Sequence, residues 1–204
     1  MSSTVQRLVL ASASPRRREL LAAHGLQFEV VPSDADEVIN PAEDPEDVAR
    51  ALAARKARAV AEGLVDEHAF VLGGDTLVVL GEGESREYLE KPADAEEARA
   101  MLTRLSGTTH RVITGVAVWS GWKIWSDRAV TRVTMRALDD QEIDAYVATG
   151  EWADKAGGYG IQGEADGFVT ALDGSFDNVV GLPVDLALDV LSRAGWVDPT
   201  PGAR

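Results

Sequence analysis

Short apolar runs alternate along the chain with apolar positions at helical spacing. Residues 7–12 predict a short buried strand around the apolar run Leu8-Val9-Leu10-Ala11. Ser14 as N-cap and Pro15 as first helical residue then predict a helix through Leu20 and Leu21 that stops at Gly25. Residues 28–32 predict a second strand. Asp44-Pro45-Glu46-Asp47 opens a longer helix with Val48, Leu52, Ala59 and Val60 toward the core and Lys56 on the flank of that face. Phe70-Val71-Leu72 and Leu77-Val78-Val79-Leu80 are two apolar runs interrupted by Gly73-Gly74-Asp75-Thr76.

The second half continues the alternation. Asp94 to Glu97 has the spacing of a capping box, followed by Ala98, Met101, Leu102 and Leu105, with Gly107 as the stop. Residues 110–119 and 122–125 predict a hairpin turning at Ser120-Gly121, and 129–135 a strand. Asp139 to Glu142 opens a helix that ends at Gly150. A glycine-rich stretch, Lys155 to Gly163, is followed by another hairpin and a helix from Pro183 to Gly195. Interleaved helices and strands, with several strands paired as hairpins, predict an α/β fold with a mixed sheet and flanking helices. The length suits a single domain over 1–198, and 199–204 reads as a frayed tail.

Composition narrows the function classes. The 204 residues are 45% hydrophobic and 26% charged, as in an ordinary globular protein. The absence of cysteine excludes a disulfide framework, a thiolate zinc site and a cysteine nucleophile. No apolar run approaches the roughly 20 residues needed to span a bilayer. Arginines follow the N-terminal apolar run, where a signal peptide would place its charge first, so a cytoplasmic protein is expected. A formal net charge of −14 repels nucleic acid and anionic membrane, so neither is expected as a partner. A polyphosphate would be repelled too unless cations gather locally, which draws attention to the basic residues. There are sixteen arginines and four lysines, Lys56, Lys91, Lys123 and Lys155.

Several segments carry candidate chemistry, each with a plainer alternative. Ser12-Ala13-Ser14-Pro15-Arg16-Arg17-Arg18 joins a strand to a helix N-terminus, where the free N–H groups and the dipole favour an anion. The alternative is an exposed basic first turn. Asp75 between two apolar runs is either a reactive carboxylate or a turn aspartate capping its own backbone. Lys56 and Lys91 mark either sites that want a compact ammonium or ordinary solvated positions. Gly158-Tyr159-Gly160-Ile161-Gln162-Gly163 matches the dinucleotide fingerprint in spacing but not in context, because a helix precedes it and a strand follows. It reads as a turn-rich loop or as a backbone cradle for phosphate or base. His24, His68 and His110 are scattered, so histidine-centred catalysis is poorly supported.

In order along the chain, Leu10 to Arg17, Asp36-Glu37, Ala54-Arg55-Lys56-Ala57, Gly73-Gly74-Asp75-Thr76, Glu90-Lys91-Pro92, Leu105 to Val112, Gly150-Glu151, Asp154 to Gly163 and Asn178 to Pro183 together resemble the Maf family of nucleotide pyrophosphatases. The resemblance covers nearly the whole chain. It departs at Gly74, where the family usually has alanine and where the change is expected to be harmless, and in a longer segment from Gly81 to Leu89. It implies two lobes around a cleft, a divalent metal cofactor and a homodimer. It assigns the catalytic base to Asp75 and specificity roles to Arg16, Thr76 and Gln162. The form of the Lys155–Gly163 segment resembles the branch associated with dTTP and UTP, and not the branch associated with 7-methyl-GTP.

The expected reaction is hydrolysis at the α-phosphorus of a nucleoside triphosphate with release of pyrophosphate. Magnesium or manganese would be held by Asp75 and Glu37, since hard carboxylate oxygens suit those ions. Ser12, Arg16, Arg17, Lys56, Thr76, Lys91, Lys155 and Gln162 are the expected substrate-binding set. Two alternatives from other classes are a nucleotide-sensing regulator of cell division and a nucleic-acid-binding protein, the latter opposed by the negative charge.

Overall fold

Strand β1, Leu8–Ala11, is buried at every position. Its alternating side chains feed two separate cores. Leu8 and Leu10 pack with Leu21, Leu72, Leu182 and Leu191, whereas Val9 and Ala11 pack with Ala53, Ala57 and Val71. A computed structural model describes residues 6–65 and 68–197 of the chain; the tail expected to fray at 199–204 lies outside them. Helix α1 spans Pro15–Ala23 with Ser14 at its N-cap, and β2 is the short Glu29–Val30. Helix α2, Pro45–Gly63, is capped by Asp44, whose carboxylate accepts from the Glu46 N–H.

Strand β3, Phe70–Leu80, overturns one sequence expectation. The Gly73-Gly74-Asp75-Thr76 segment does not interrupt the two apolar runs; it is the middle of one eleven-residue strand. Its partner β1 runs parallel to it, with Ala11 opposite Gly73. The physical reason lies in α2. A Cβ added at Gly73 would lie 2.3 Å from the Ala53 carbonyl oxygen, so the helix backbone rests directly on the strand there. Gly115 meets the same helix, with a virtual Cβ 2.0 Å from the Ala49 oxygen. Strand glycines facing a stripe of helix alanines make a close approach, not a turn.

Strand β4 is Glu87–Leu89, antiparallel to β3. Helix α3, Ala95–Leu105, is capped by Asp94, but Glu97 turns its carboxylate to the Ala93 N–H, so only half of the expected box forms. Strands β5, Thr109–Ser120, and β6, Lys123–Met135, are longer than expected and absorb the segments read separately; the turn falls at Gly121-Trp122. Helix α4, Asp140–Thr149, has the full capping box between Asp139 and Glu142. After the glycine-rich loop come β7, Val169–Asp173, antiparallel to β6, then α5, Phe176–Val180, and α6, Val184–Arg193. The expected second hairpin is thus a single strand that returns along β6.

The strand order is β2-β1-β3-β5-β6-β7, with β4 paired to β3. Parallel and antiparallel pairs coexist, so the expected mixed α/β sheet is present. The described residues divide into two compact units. Unit 1 draws on Met1–Asp75, Thr114–Ala129 and Gly181–Arg204; unit 2 draws on Thr76–Ile113 and Val130–Val180. Unit 1 holds the two cores on β1. Unit 2 has its own core, in which Met101, Leu102, Leu105, Val133, Ile143 and Phe168 meet. Among the described residues, no helix is long and apolar enough to cross a membrane.

Candidate active site

Unit 1 holds six of the sequence-named residues. Alternation along β3 turns Gly73 and Asp75 to the same face, that of α2. Asp75 is buried, 7% exposed, and its Oδ1 accepts from the Lys56 ammonium at 2.5 Å. Lys56, read as lying on the flank of the apolar face, is not an ordinary solvated lysine. It lies on the buried face of α2, between Ala53 and Ala57, because the glycine contact draws that face onto the sheet. The same ammonium meets Glu37 Oε1, also at 2.5 Å. Glu37 sits on the extended segment before α2. That segment is tied to the helix by Arg55, whose guanidinium donates to the Asp36 and Val38 carbonyls on either side of it. The Arg55-Lys56 dipeptide thus fixes the loop with one side chain and bonds its carboxylate with the next.

The strand-to-helix junction supplies the other three. Ser12 follows β1, and its hydroxyl accepts from the Ser14 N–H at 3.2 Å and from the Arg17 guanidinium at 3.3 Å. Arg17 is buried as well, and its Nε donates to the Gly181 carbonyl at 2.7 Å. It is no part of an exposed basic turn. Burial pulls its pKa down from the ordinary arginine value, and the Asp75 charge pulls it back up. The guanidinium sits against the face of β3 opposite α2, where a Cβ on Gly74 would lie 3.3 Å from its Nε. Arg16, one position earlier on α1, is half-buried. Asp75 therefore sits among an ammonium, a guanidinium and a second carboxylate. A turn aspartate capping its own backbone does not fit a buried, mid-strand position.

Unit 2 gathers the remaining set. Thr76 follows Asp75 on β3, half-buried. Lys91 is exposed beyond β4, and the glycine-rich loop rests against its neighbours. The Gly157 N–H donates to the Glu90 carbonyl at 3.1 Å, and Pro92 lies near Gly158. Lys91 and the Lys155–Gly163 loop are thus brought together. The Lys155 ammonium donates to the Glu151 carbonyl and, at 3.0 Å, to the Asp154 carboxylate. It reaches a substrate only by giving up those bonds. Gln162 is exposed, between buried Ile161 and Gly163. No α-helix begins inside the loop, which excludes the dinucleotide fingerprint.

Sequence reasoning missed two participants. Gly181 enters through its carbonyl, which carries no side-chain signal. His110 was set aside as a scattered histidine, yet it is 1% exposed and bonds the Tyr159 hydroxyl at 2.6 Å. The signal available was that both residues stand inside motifs of the resemblance.

Comparison with known proteins bears on the same segments. The family described as Maf-like protein matches residues 7–194. A dTTP/UTP pyrophosphatase of Anaeromyxobacter dehalogenans is 50% identical over 202 residues, 97% of this chain and 98% of the relative. Relatives with the same name from Cereibacter sphaeroides and Vibrio cholerae are each 48% identical, over 92% and 89% of this chain and 95% and 94% of their own lengths.

Proposed function

Since this chain belongs to the Maf family, we propose that it hydrolyses dTTP and UTP to the monophosphate and pyrophosphate. The observation that carries the chemistry is the buried, mid-strand Asp75 carboxylate held by Lys56 and flanked by Glu37. The choice of nucleotide is supported by the relatives, which are named dTTP/UTP pyrophosphatases at about half identity over nearly their full length.

Water attacks the α-phosphorus, the bond to the bridging oxygen breaks, and pyrophosphate leaves. Asp75 takes the proton of the attacking water as general base. Phosphoryl transfer of this kind depends on positioning and charge stabilisation. Lys56 holds the Asp75 carboxylate in place before substrate arrives. Arg16 and Lys91 are assigned to the phosphates, while Arg17, already bonded to Ser12 and Gly181, contributes its charge from within the protein. Thr76 and Gln162 are assigned to the choice of base.

A magnesium or manganese ion belongs to this proposal. Its fit rests on the carboxylates of Asp75 and Glu37, which already close around one cation, the Lys56 ammonium. Among the described residues no three acidic, histidine or cysteine side chains gather as a metal cage. Two carboxylates complemented by phosphate and water oxygens suit magnesium, which seldom takes an all-protein cage. When bound, the ion supplies neutralisation of phosphate charge and a more acidic water. The proposal further takes the enzyme as a cytoplasmic homodimer.

The experiment is a panel of nucleoside triphosphates assayed for pyrophosphate release with millimolar magnesium. Preference for dTTP and UTP in kcat/KM is expected. A preference for 7-methyl-GTP, or no turnover on any triphosphate, overturns the assignment.

A further inference from the structure

His110, the second residue of β5, is the most deeply buried imidazole among the described residues, and its Nδ1 has no hydrogen-bond partner. An unpaired buried polar atom is costly, roughly 1–3 kcal/mol. An apolar side chain would fill the same space without that cost. What distinguishes the histidine is the bond from its other nitrogen to the Tyr159 hydroxyl, at 2.6 Å with the rings edge to face. Burial keeps the imidazole neutral, with its pKa brought down to about 4.

Tyr159 belongs to the loop that carries Gln162 three positions later. That loop is rich in glycine, and Gly157 and Gly158 both take positive φ, so its backbone loses much freedom on ordering. Ile161 is buried but apolar, and so fixes depth without fixing orientation. The Tyr159 hydroxyl makes a directional bond across to a strand residue.

We propose that His110 and Tyr159 form a positioning pair that sets the register of the Gln162 loop and thereby its selectivity for the pyrimidine ring. This rests on the function proposed above, in which Gln162 reads the base. Neither residue touches substrate; both act through the loop.

The test compares wild type with Tyr159→Phe, His110→Leu and His110→Gln, scored by pyrophosphate release from dTTP and CTP and by thermal melting. Tyr159→Phe loses one oxygen and keeps the ring. KM for dTTP is expected to rise on the order of tenfold, matching the loss of one buried hydrogen bond, with kcat within about threefold. The dTTP-to-CTP preference falls in parallel. His110→Leu does the same. His110→Gln, whose amide nitrogen reaches roughly where Nε2 stands and can donate to the hydroxyl oxygen, recovers part of the loss. Unchanged KM and preference in Tyr159→Phe overturn the proposal. So does a loss of rate that only tracks a lower melting temperature, or a failure of both Tyr159→Phe and His110→Leu to fold, because each makes the bond a core contact and nothing more. The wild-type assay is read first: if wild type favours another triphosphate, the function assignment fails on its own, and the variants are then scored on wild type's best and poorest nucleotides.

Discussion

The Asp75 carboxylate lies 2.5 Å from the Lys56 ammonium, and both side chains are buried. A buried pair of this kind is weak evidence for stability, since desolvating two charges offsets most of their attraction. Its value lies in aiming a carboxylate from the middle of a strand. Asp75→Asn is nearly isosteric and keeps a hydrogen-bond acceptor for Lys56, so the variant folds. It removes the charge that accepts a proton, and a general base contributes on the order of 10²–10⁴-fold. Activity on dTTP should fall by about that factor. Retention of more than about a tenth of the wild-type rate shows that Asp75 is not the base.

Dialysis against a chelator should abolish turnover, and readdition of magnesium or manganese should restore it. With two carboxylates near the reacting phosphate, a polyanion meets local repulsion that the lysine and arginine only partly offset. Full activity in the metal-free enzyme sinks the cofactor assignment and leaves the role of Asp75 open to its own test.

Gly73 and Gly74 should respond in opposite ways to alanine. At Gly73 the new methyl would meet the Ala53 carbonyl oxygen at 2.3 Å and the Ala57 nitrogen at 2.8 Å, both backbone atoms of α2. The helix must lift off the strand, moving Lys56 from Asp75, and overpacking of this kind costs about 1–3 kcal/mol or more. At Gly74 the nearest atom is Arg17 Nε at 3.3 Å, a side-chain atom and not helix backbone. A shift of a few tenths of an ångström suffices, and alanine in a strand gains roughly 0.5–1 kcal/mol over glycine. Melting curves of the two variants decide. Equal destabilisation would mean that α2 does not press on β3 as described.

The same glycines mark where sequence reading succeeds and where it stops. Helix starts at Asp44, Asp94 and Asp139 were legible because capping is local chemistry, and the start after Ser14 because Pro15 suits a first helical position, although the Ser14 side chain makes no cap bond. Asp75 was legible as an unusual carboxylate but not as a strand residue. Gly-Gly-Asp has the local signature of a turn, and the contact that makes it a strand comes from a helix some twenty residues away in sequence. The stripe Ala49, Ala53, Ala57 facing Gly73 and Gly115 was the available sign of close approach. Arg17 was read as a phosphate contact because it stands at a helix N-terminus, which favours an anion. Its actual partners, Ser12 and the Gly181 carbonyl, are set by tertiary packing.

Acid should destabilise the protein in two separable windows. His110 has its pKa lowered by burial to about 4, against 6.5 for an exposed histidine. The unfolded chain therefore binds a proton below pH 6.5 that the folded chain refuses until about 4, so stability is complete above 6.5 and falls as pH drops through this range. The loss is on the order of 3 kcal/mol at most. Glu142, held down to about 2 chiefly by its bond with Arg136, favours the folded state above the ordinary glutamate value of 4.5 and loses that contribution as pH falls toward 2. His110→Gln should flatten the stability profile between pH 6.5 and 4.5 and leave the lower window unchanged. An unaltered slope in the upper window would mean that other groups dominate it.

Gln162 offers the sharpest test of the base assignment. Uracil and thymine present the O4 and O2 acceptors around an N3–H donor. A glutamine amide carries one donor group and one acceptor, so it pairs with O4 and N3–H together. Cytosine presents an amino donor and a bare N3, the reverse pattern, which faces like groups as long as the amide is held in the orientation that suits uracil and thymine. An unpaired buried polar group costs roughly 1–3 kcal/mol, so CTP should be disfavoured by about tenfold or more in kcat/KM. The 5-position lies away from this edge, and the thymine methyl is tolerated. Gln162 itself is exposed on its loop, between Ile161 and Gly163, so its amide is accessible to a ligand and its truncation removes no core packing. Gln162→Ala should therefore lower the rate on dTTP and UTP while leaving CTP nearly unchanged, bringing the two toward parity, with no loss of melting temperature. If both rates fall alike, Gln162 ties the turn and does not read the base, and discrimination between dTTP and CTP must come from other groups.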